Sequence, residues 1–447
     1  GGRLVVSEMC IRDRAKAGYY HFEVVQYLQE LYLVTWPQVI GFSMFAFFVQ
    51  ALVPNKFIGH GIVIGMFVIQ PILYNFGIEN SLVTVGSIPS YTYSDMNGYG
   101  HFVGSLTFGI GYWLSVFALL GVVSIAFARR GAEDHLRLRC RIARVRLKSL
   151  APTAIICLGL IAVCGGWFYY NTRILNEFRS SADERRIAAD YERAFARFEK
   201  VPQPKILAVD TAVDIDPPSR SFHATGRYEL INRAQSPIRE IHITDAHETI
   251  LKLAFDRPYH LVHRGPHGLY ATYELEAPLQ PGETMQLTFE VGHDSPGFRD
   301  GHELAQFAYN GTFFDSDFFP AIGYNSQLAL SDPRRRREQG LGPVPEMVSR
   351  GDPWGSRTNL FSPQADWIRY HTVVSTSDEQ IAIAPGYLQR EWRAEGRHYF
   401  EYSIGATPMQ HFFSYLSGRY SVRRDTHQTA QGPVNIEVYF EPKNAYN

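Results

Sequence analysis

Cysteine is missing from the second half of this chain. The 447 residues include four cysteines, and the last of them is Cys164. Residues 171–447 therefore need no disulfides, and the spacing of the four cysteines matches no metal-binding motif. The formal net charge of −1 gives no reason to expect a nucleic-acid partner.

Charged residues are absent from four long apolar runs in the first half of the chain. A membrane-spanning helix needs about 20 mostly apolar residues, and each run is that long. Four buried helices of a soluble protein are the alternative, which the lack of any Lys, Arg, Asp or Glu disfavours. The predicted spans are Leu31–Val53, Phe57–Ile78, Thr107–Ala128 and Ala151–Tyr170.

Lysine and arginine are absent from the loop between the second and third spans, residues 79–106. The next loop, "ARRGAEDHLRLRCRIARVRLKSL", contains eight of them. The positive-inside rule places this second loop in the cytoplasm and residues 171–447 outside. We therefore expect a multi-pass protein of a bacterial inner membrane. The basic loop is interpreted as a topology determinant, with binding of a partner or of anionic lipid as alternatives.

Residues 1–20 contain no apolar segment with a cleavage site, so they do not resemble a signal peptide. The string "SEMCIRDR" resembles translated sequencing adapter, and we interpret residues 1–20 as a leader that is partly artefact. At the other end, "VYFEPKNAYN" stops at Asn447 directly after a strand-like pattern. We expect the parent protein to continue beyond it.

The residues after the fourth span change in pattern twice. In 171–203, apolar residues at helical spacing, a capping box from Ser181 to Glu184 and a closing Pro202 predict an amphipathic helix that lifts the outer part off the bilayer. In 204–447, apolar and polar residues alternate in many short runs with turn signals between them. The predicted fold class is a membrane α-helical bundle (21–170) plus an extracytoplasmic all-β sandwich or saddle. Arg334–Arg337 are interpreted as a solvated face, with binding of an acidic partner as the alternative.

The zinc-peptidase signature H-E-x-x-H is also missing. "HELAQ", residues 302–306, has Gln306 where the second histidine would stand, and "AHETI" has Leu251 there. Zinc ligands at i and i+4 must share one helical face, but glycine and β-favouring aromatics surround His302 and Glu303. We expect neither site to bind zinc, and no phosphate-binding G-x-x-x-x-G-K-[ST] motif occurs.

Three segments nevertheless resemble one family. "NGTFFDSDFFPAIGYN" (Asn310–Asn325), "FEYSIGATPMQHFFSYLSGRYSV" (Phe400–Val422) and "VNIEVYFEPKNAYN" (434–447) resemble the end of the N-terminal sandwich domain of aminopeptidase N-like zinc metallopeptidases. The spans, with "VPNKFIGH" between the first two, look like an ABC-transporter-type permease domain fused to such a peptidase. The resemblance covers most of residues 21–447.

The resemblance implies that the zinc helix, its downstream Glu ligand and the catalytic Tyr follow the sandwich. No catalytic or metal-binding residue is therefore expected in this chain, and zinc is expected in the missing catalytic domain. Relatives place a Gln or Glu near the free amine of the substrate, and the register back from Phe319-Pro320 puts Asn310 or Gly311 there. These two residues are the candidate peptide-binding site, on a strand running to Phe314. An ordinary Asn-Gly hairpin turn is the alternative.

Three functions remain open on the sequence. The first is a fragment of a membrane-anchored zinc metallopeptidase with a permease-like half, acting on peptides. The second is an ABC-type permease subunit whose β domain captures or gates cargo, with an ABC ATPase subunit as its cytoplasmic partner. The third is a structural or adhesin-like membrane protein. The bilayer is a partner in all three.

Overall fold

The computed structural model describes residues 15–16, 18, 20, 22–128, 136–301, 304–344, 349, 351–353, 355, 366–430 and 432–445. These residues form two compact units. The first lies within 1–90 and 104–174, and the second within 91–103 and 175–447. The segment Tyr91–Val103, named the strap below, thus belongs to the second unit although the chain leads from it into the third apolar helix.

The first unit is built from apolar helices. Across the described part of the chain, four helices are long and apolar enough to cross a membrane, as predicted. The helices are α1 Val24–Gln29, α2 Trp36–Leu52, α3 Lys56–Asn75, α4 Phe102–Phe127 and α5 Leu136–Tyr169. The first span consists of α1 and α2, which a π-helical turn at Glu30–Thr35 joins, and α5 of the last span includes the arginine-rich segment.

Small residues allow these helices to approach one another closely. A Cβ added to Gly41 would lie 2.2 Å from a ring carbon of Phe117, so only glycine fits at this crossing of α2 and α4. Gly165 of α5 lies against the ring of Tyr112 in the same way. Close contact of this kind is how helices associate in lipid, where apolar burial gives little driving force. Trp113 adds a hydrogen bond from Nε1 to the Ser81 carbonyl at 2.8 Å.

Two arginines of the basic segment bind helix ends within this unit. The buried Arg139 guanidinium donates to the carbonyls of Ala51, Leu52 and Phe127 at the C-terminal ends of α2 and α4. Arg146 donates to the Ala128 carbonyl at 2.7 Å. The last carbonyls of a helix lack intrahelical partners and carry partial negative charge, so a cation there is stabilising. These two residues therefore have a structural role besides any influence on topology.

The predicted amphipathic helix is present as α6, Ser181–Phe195. Its capping box begins one residue earlier than expected, because Ser180 has the extended backbone of an N-cap and pairs reciprocally with Asp183. Tyr191 and Phe195 of its apolar face are buried against Tyr270 and Tyr324 of the β domain. The helix therefore packs onto the domain that it was expected to hold away from the membrane.

The second unit consists mainly of β-structure, and the predicted fold class of apolar helices plus a β-sandwich is confirmed. The strands are β1 Lys205–Asp216, β2 Ser221–Ile231, β3 Ile238–Thr244, β4 Ile250–Phe255, β5 Tyr259–Arg264, β6 Tyr270–Leu279, β7 Thr284–His293, β8 Thr312–Asp315, β9 Ala321–Ile322, β10 Trp367–Ser377, β11 Ile381–Ile383, β12 Tyr387–Ala394, β13 Arg397–Ser403, β14 Met409–Gln410, β15 Ser414–Gly418, β16 Ser421–Thr429 and β17 Gly432–Phe440. An eight-stranded sheet has the order β12-β13-β10-β1-β2-β7-β4, with β14 added beside β10. Smaller sheets have the orders β5-β6-β3-β9, β11-β15-β8 and β16-β17.

One core joins the three larger sheets. Alternate side chains of β1, β2 and β7 are buried, as the period of two requires, and they pack against residues of β3, β6, β8 and β15. Nearly all strand pairs are antiparallel, but β1 and β10 run parallel, with Thr211 opposite Thr372. The Oγ1 atoms of this pair lie 2.9 Å apart and share the hydroxyl of buried Tyr415.

The polar loop after β9 contains the helix α7, Pro333–Glu338. Arg334 and Arg337 are exposed there, as expected for a solvated face, but Arg336 is only 4% exposed. Its guanidinium pairs with both carboxylate oxygens of Glu192 on α6, at 2.6 and 2.7 Å, and donates to the carbonyls of Leu330 and Gly342. The expectation was wrong for Arg336 because its acidic partner lies 144 residues away in the same chain.

Candidate functional site

The candidate residues Asn310 and Gly311 lie immediately before β8. This strand pairs on one side with β15, with Thr312 opposite Ser417, and it forms an edge of its three-stranded sheet. The strand begins at Thr312, two residues later than the sequence predicted. Asn310 and Gly311 therefore lie at the entrance to an edge strand, a position where a further extended chain can add to a sheet.

The chain reverses direction ahead of this strand, although by a wider loop than a two-residue hairpin. The Phe313 N–H donates to the Gln306 carbonyl at 2.9 Å, so the reversal spans eight residues. Gly311 has φ +83°, which only glycine adopts without strain, and its N–H donates to the Ser417 carbonyl. Asn310 is 4% exposed.

Aromatic rings from several elements pack together next to this loop. Phe307 and Phe314 are buried, with ring centroids 5.4 Å apart, and Phe314 also contacts Phe222 at 4.5 Å and Tyr415 at 5.3 Å. Such packing fixes rotamers. The backbone of Asn310 therefore lies between residues whose side chains are held rigidly.

The Asn310 side chain has a partner for each of its polar atoms. Its Oδ1 accepts the Arg419 N–H at 2.7 Å, and its Nδ2 donates to the Met96 carbonyl at 3.2 Å and to Glu441 Oε2 at 3.3 Å. A carboxamide offers two donors and an acceptor of this kind. In this conformation the side chain is engaged by the protein itself.

Asn97 of the strap binds the backbone of Asn310. The Asn310 N–H donates to Asn97 Oδ1 at 2.9 Å, and Asn97 Nδ2 donates to the Asn310 carbonyl. Met96 covers the neighbouring glycine, since a Cβ on Gly311 would lie 2.7 Å from Met96 Sδ. The strap thus meets both residues proposed for peptide binding, and their role toward a substrate stays a prediction.

The residues around "HELAQ" adopt turns where they are described. His302 and Glu303 lie outside the described residues, so the interpretation of that pair stays a prediction. Residues 304–311 contain no helix, and the Gln306 carbonyl accepts the bond from Phe313. In the described segments, no group of three or more His, Cys, Asp or Glu side chains is placed to hold a metal ion.

His247 of "AHETI" is used for packing. Its ring stacks on Phe318 with centroids 4.0 Å apart and planes 9° from parallel. Burial lowers the pKa of His247, although Asp317, Asp245 and Asp315 oppose the shift. Burial raises the pKa of Asp317, and the nearby Asp315 carboxylate adds to that effect. Acidic groups therefore lie near β8, but the histidine among them is neutral at pH 7.

The sequence analysis named Asn310 and Gly311 as candidates but missed the residues that contact them. Met96 and Asn97 belong to the loop of residues 79–106, which was used only to predict topology, and 213 residues separate Asn97 from Asn310. The one local signal was the Asn97-Gly98 pair, which marks a turn. Arg419 contributes only its backbone, which no sequence pattern reveals.

Comparisons with known proteins gave fold-level neighbours alone. No protein-family model matches the chain, and no curated protein matches it. Among solved structures, similarity was found to an M1 zinc metallopeptidase from Deinococcus radiodurans, at 14% identity over 53% of this chain and 47% of that one, with a TM-score of 0.33. A mutant of an M1 zinc metallopeptidase from the same organism, bound to a Tyr-Ser-Ala substrate, gave the same values. A two-domain M1 zinc metallopeptidase mutant bound to L-arginine matched at 13% identity, over 53% and 47%, with a TM-score of 0.34. The chain spans about half the length of the structures that it matches.

Proposed function

We propose that this chain is the membrane and substrate-side part of a membrane-anchored zinc metallopeptidase similar to aminopeptidase N, joined to a permease-like membrane half. The observation that carries the proposal is the edge strand β8. The segment resembling the peptidase family, Asn310–Asn325, forms this strand and the buried Phe318–Phe319 that follow it. A strand at the edge of a sheet, packed on buried aromatic rings, suits an extended peptide.

The hairpin β16–β17 supports the same interpretation. Its second strand exposes an alternating apolar row, in which Val434, Ile436 and Val438 are 43–52% exposed. A two-stranded hairpin is marginally stable by itself, and an exposed apolar row on it suits a surface that packs against a further domain. In the resembling family this region leads into the catalytic domain.

Zinc is assigned to no residue of this chain. The donors in the described regions do not form a ligand set. By the family resemblance, the zinc ligands belong to sequence that follows the β domain in the full-length protein. The contribution of this chain is to bind and orient the peptide.

Two observations support the proposed location of the β domain outside the cytoplasm. They are the distribution of basic residues between the loops and the grouping of the strap with the β domain. The strap lies between the two apolar helices α3 and α4 in sequence, and it forms one compact unit with the β domain. This supports placing the loop that lacks Lys and Arg on the same side of the bilayer as residues 175–447. The eight basic residues of the following loop favour the cytoplasm for the opposite side.

The activity is tested on the full-length gene product. We expect it to hydrolyse alanine p-nitroanilide, to lose that activity with a zinc chelator and to regain it with added zinc, whereas residues 1–447 alone hydrolyse none. Asn310→Ala should lower kcat/KM by about tenfold, the effect of losing one hydrogen bond to the substrate. Gln389→Ala, on the exposed strand β12, serves as the control. A full-length protein without chelator-sensitive hydrolysis would refute the proposed function.

The orientation is tested by cysteine labelling in intact cells. Cys140 is exposed on the arginine-rich segment, and Arg337 is exposed in the β domain. In variants that keep a single cysteine, we expect a membrane-impermeant maleimide to label Arg337→Cys directly and Cys140 only after permeabilisation. Labelling of both from outside would exclude the proposed topology.

A further inference from the structure

The Asn97 side chain binds Asn310 as a neighbouring β-strand residue would. Its carboxamide accepts from the N–H of Asn310 and donates to the carbonyl of the same residue. Residues of an antiparallel ladder exchange this pair of bonds. One side chain of the strap therefore satisfies both backbone groups that an added strand would use at this position.

Met96 completes the contact beside Asn97. Its sulfur occupies the space that the missing side chain of Gly311 leaves, and its carbonyl accepts a bond from Asn310 Nδ2. Asn97 thus occupies the hydrogen-bonding groups of the Asn310 backbone, and Met96 occupies the space beside Gly311. Nothing at Asn310 is left for a second chain while they are in place.

The strap has an internal structure of its own. The N–H and the carbonyl of Gly98 pair with the backbone of Ser94, which closes a tight turn around Met96 and Asn97. The rings of Tyr91 and Tyr93 pack on Tyr99, with centroids 5.8 and 5.4 Å apart. The turn is therefore held by contacts within the strap as well as by its bonds to Asn310. Only three hydrogen bonds join the tip to Asn310.

We propose that Met96 and Asn97 are a built-in substitute for a bound peptide residue, which keeps the edge at Asn310 and Gly311 closed until the strap withdraws. The inference rests on the proposed peptide-binding role of this edge. The last two residues of the strap are also the first two residues of the apolar helix Phe102–Phe127. A change at the start of that helix would therefore be transmitted through the chain to the segment that closes the site.

Two measurements on the 447-residue chain in detergent test this closure. Hydrogen exchange at the Asn310 amide should become about tenfold faster or more in Asn97→Ala, which removes the two backbone bonds. A fluorescein-labelled tri-alanine amide should bind Asn97→Ala at least about tenfold more tightly than the parent chain. Met96→Ala, which uncovers Gly311 but keeps the amide pair, should tighten peptide binding with little change in exchange at Asn310.

Asn80→Ala is the matched control, because Asn80 lies in the same interspan loop and its side chain caps a local turn by accepting the Leu82 N–H. It should behave as the parent chain in both measurements, and equal melting temperatures show that the variants are folded. Unchanged exchange in Asn97→Ala would overturn the closure. So would faster exchange with peptide affinity unchanged in both strap variants. Neither readout depends on zinc or hydrolysis, so failure of the proposed peptidase activity is seen separately, in the full-length assay.

Discussion

Replacing Arg336 by alanine is expected to destabilise the β domain by about 3–5 kcal/mol, the cost of leaving a buried charge without its partner. The Glu192 side chain is 13% exposed, and both of its oxygens are bound by Arg336. Without the guanidinium, the carboxylate must ionise in a poorly solvated site or take up a proton. Two carbonyls, those of Leu330 and Gly342, lose their donor as well. The free energy of unfolding from urea titration of the chain in detergent measures the effect.

Arg334→Ala is the matched control for this prediction. Its side chain is 78% exposed and pairs only with Glu338 one turn along α7, so the change should be below about 1 kcal/mol. The double variant Glu192→Gln, Arg336→Met should recover much of the loss, because it removes both charges together. Equal stability of the two single alanine variants would contradict the assigned role of Arg336.

Acid is expected to destabilise the β domain between about pH 6.5 and pH 4. Burial lowers the pKa of His242, His293 and His411 to about 4 in each case. For His293, the positive charges of Arg299 and Arg220 contribute further. Unfolding returns these imidazoles to a pKa near 6.5, so the unfolded chain binds more protons in this window. Stability is therefore complete above pH 6.5 and falls as the pH decreases toward 4, by up to roughly 3 kcal/mol for each histidine.

His371 titrates in the opposite sense. Burial opposes its protonation, but hydrogen bonds to Asp210 and Glu401 on either side of the ring raise its pKa overall. Its contribution is present below pH 6.5 and is lost as the pH rises through its raised pKa. Because this side chain is 41% exposed, the effect is small beside that of His242, His293 and His411.

His411→Phe provides the specific test of the acid prediction. His411 packs against the rings of Phe413 and Tyr228, so phenylalanine suits the site and removes one titrating group. The slope of unfolding free energy against pH between 6 and 5 should decrease in this variant. His427→Gln, at an exposed position of β16, should leave the slope unchanged. A stability that is constant from pH 7 to pH 5 would contradict the prediction.

The sequence predicted those features that depend on local pattern. Uninterrupted apolar runs identified four membrane helices, and alternation with turn signals identified the β-rich domain. The capping box was displaced by one residue because Ser180-Asp183 and Ser181-Glu184 offer the same motif in adjacent registers. Only the backbone conformation distinguishes the two registers, and the local sequence pattern does not reveal that conformation.

Features that depend on distant pairing could not be predicted in this way. Arg336 stands in a run of four arginines, and only the packing of α6 shows which of them is buried. The contact between Asn97 and Asn310 joins two Asn-Gly pairs, each of which resembles an ordinary turn. Asn310 and Gly311 could be placed near a strand through the family resemblance, but their covering by the strap depends on chain folding across 213 residues.

The parallel pairing of β1 with β10 has a consequence for synthesis of the chain on the ribosome. Thr211 and Thr372 are neighbours in the sheet but 161 residues apart in sequence. At 5–20 residues per second, β1 waits roughly 8–30 s after its own translation before β10 is made. During that interval β2, β7 and β4 can assemble on one side of β1, while its other edge has unpaired backbone groups. Such an edge recruits other strands, so nascent chains on one messenger are most prone to aggregate in this interval, and a chaperone that covers extended apolar segments would act there.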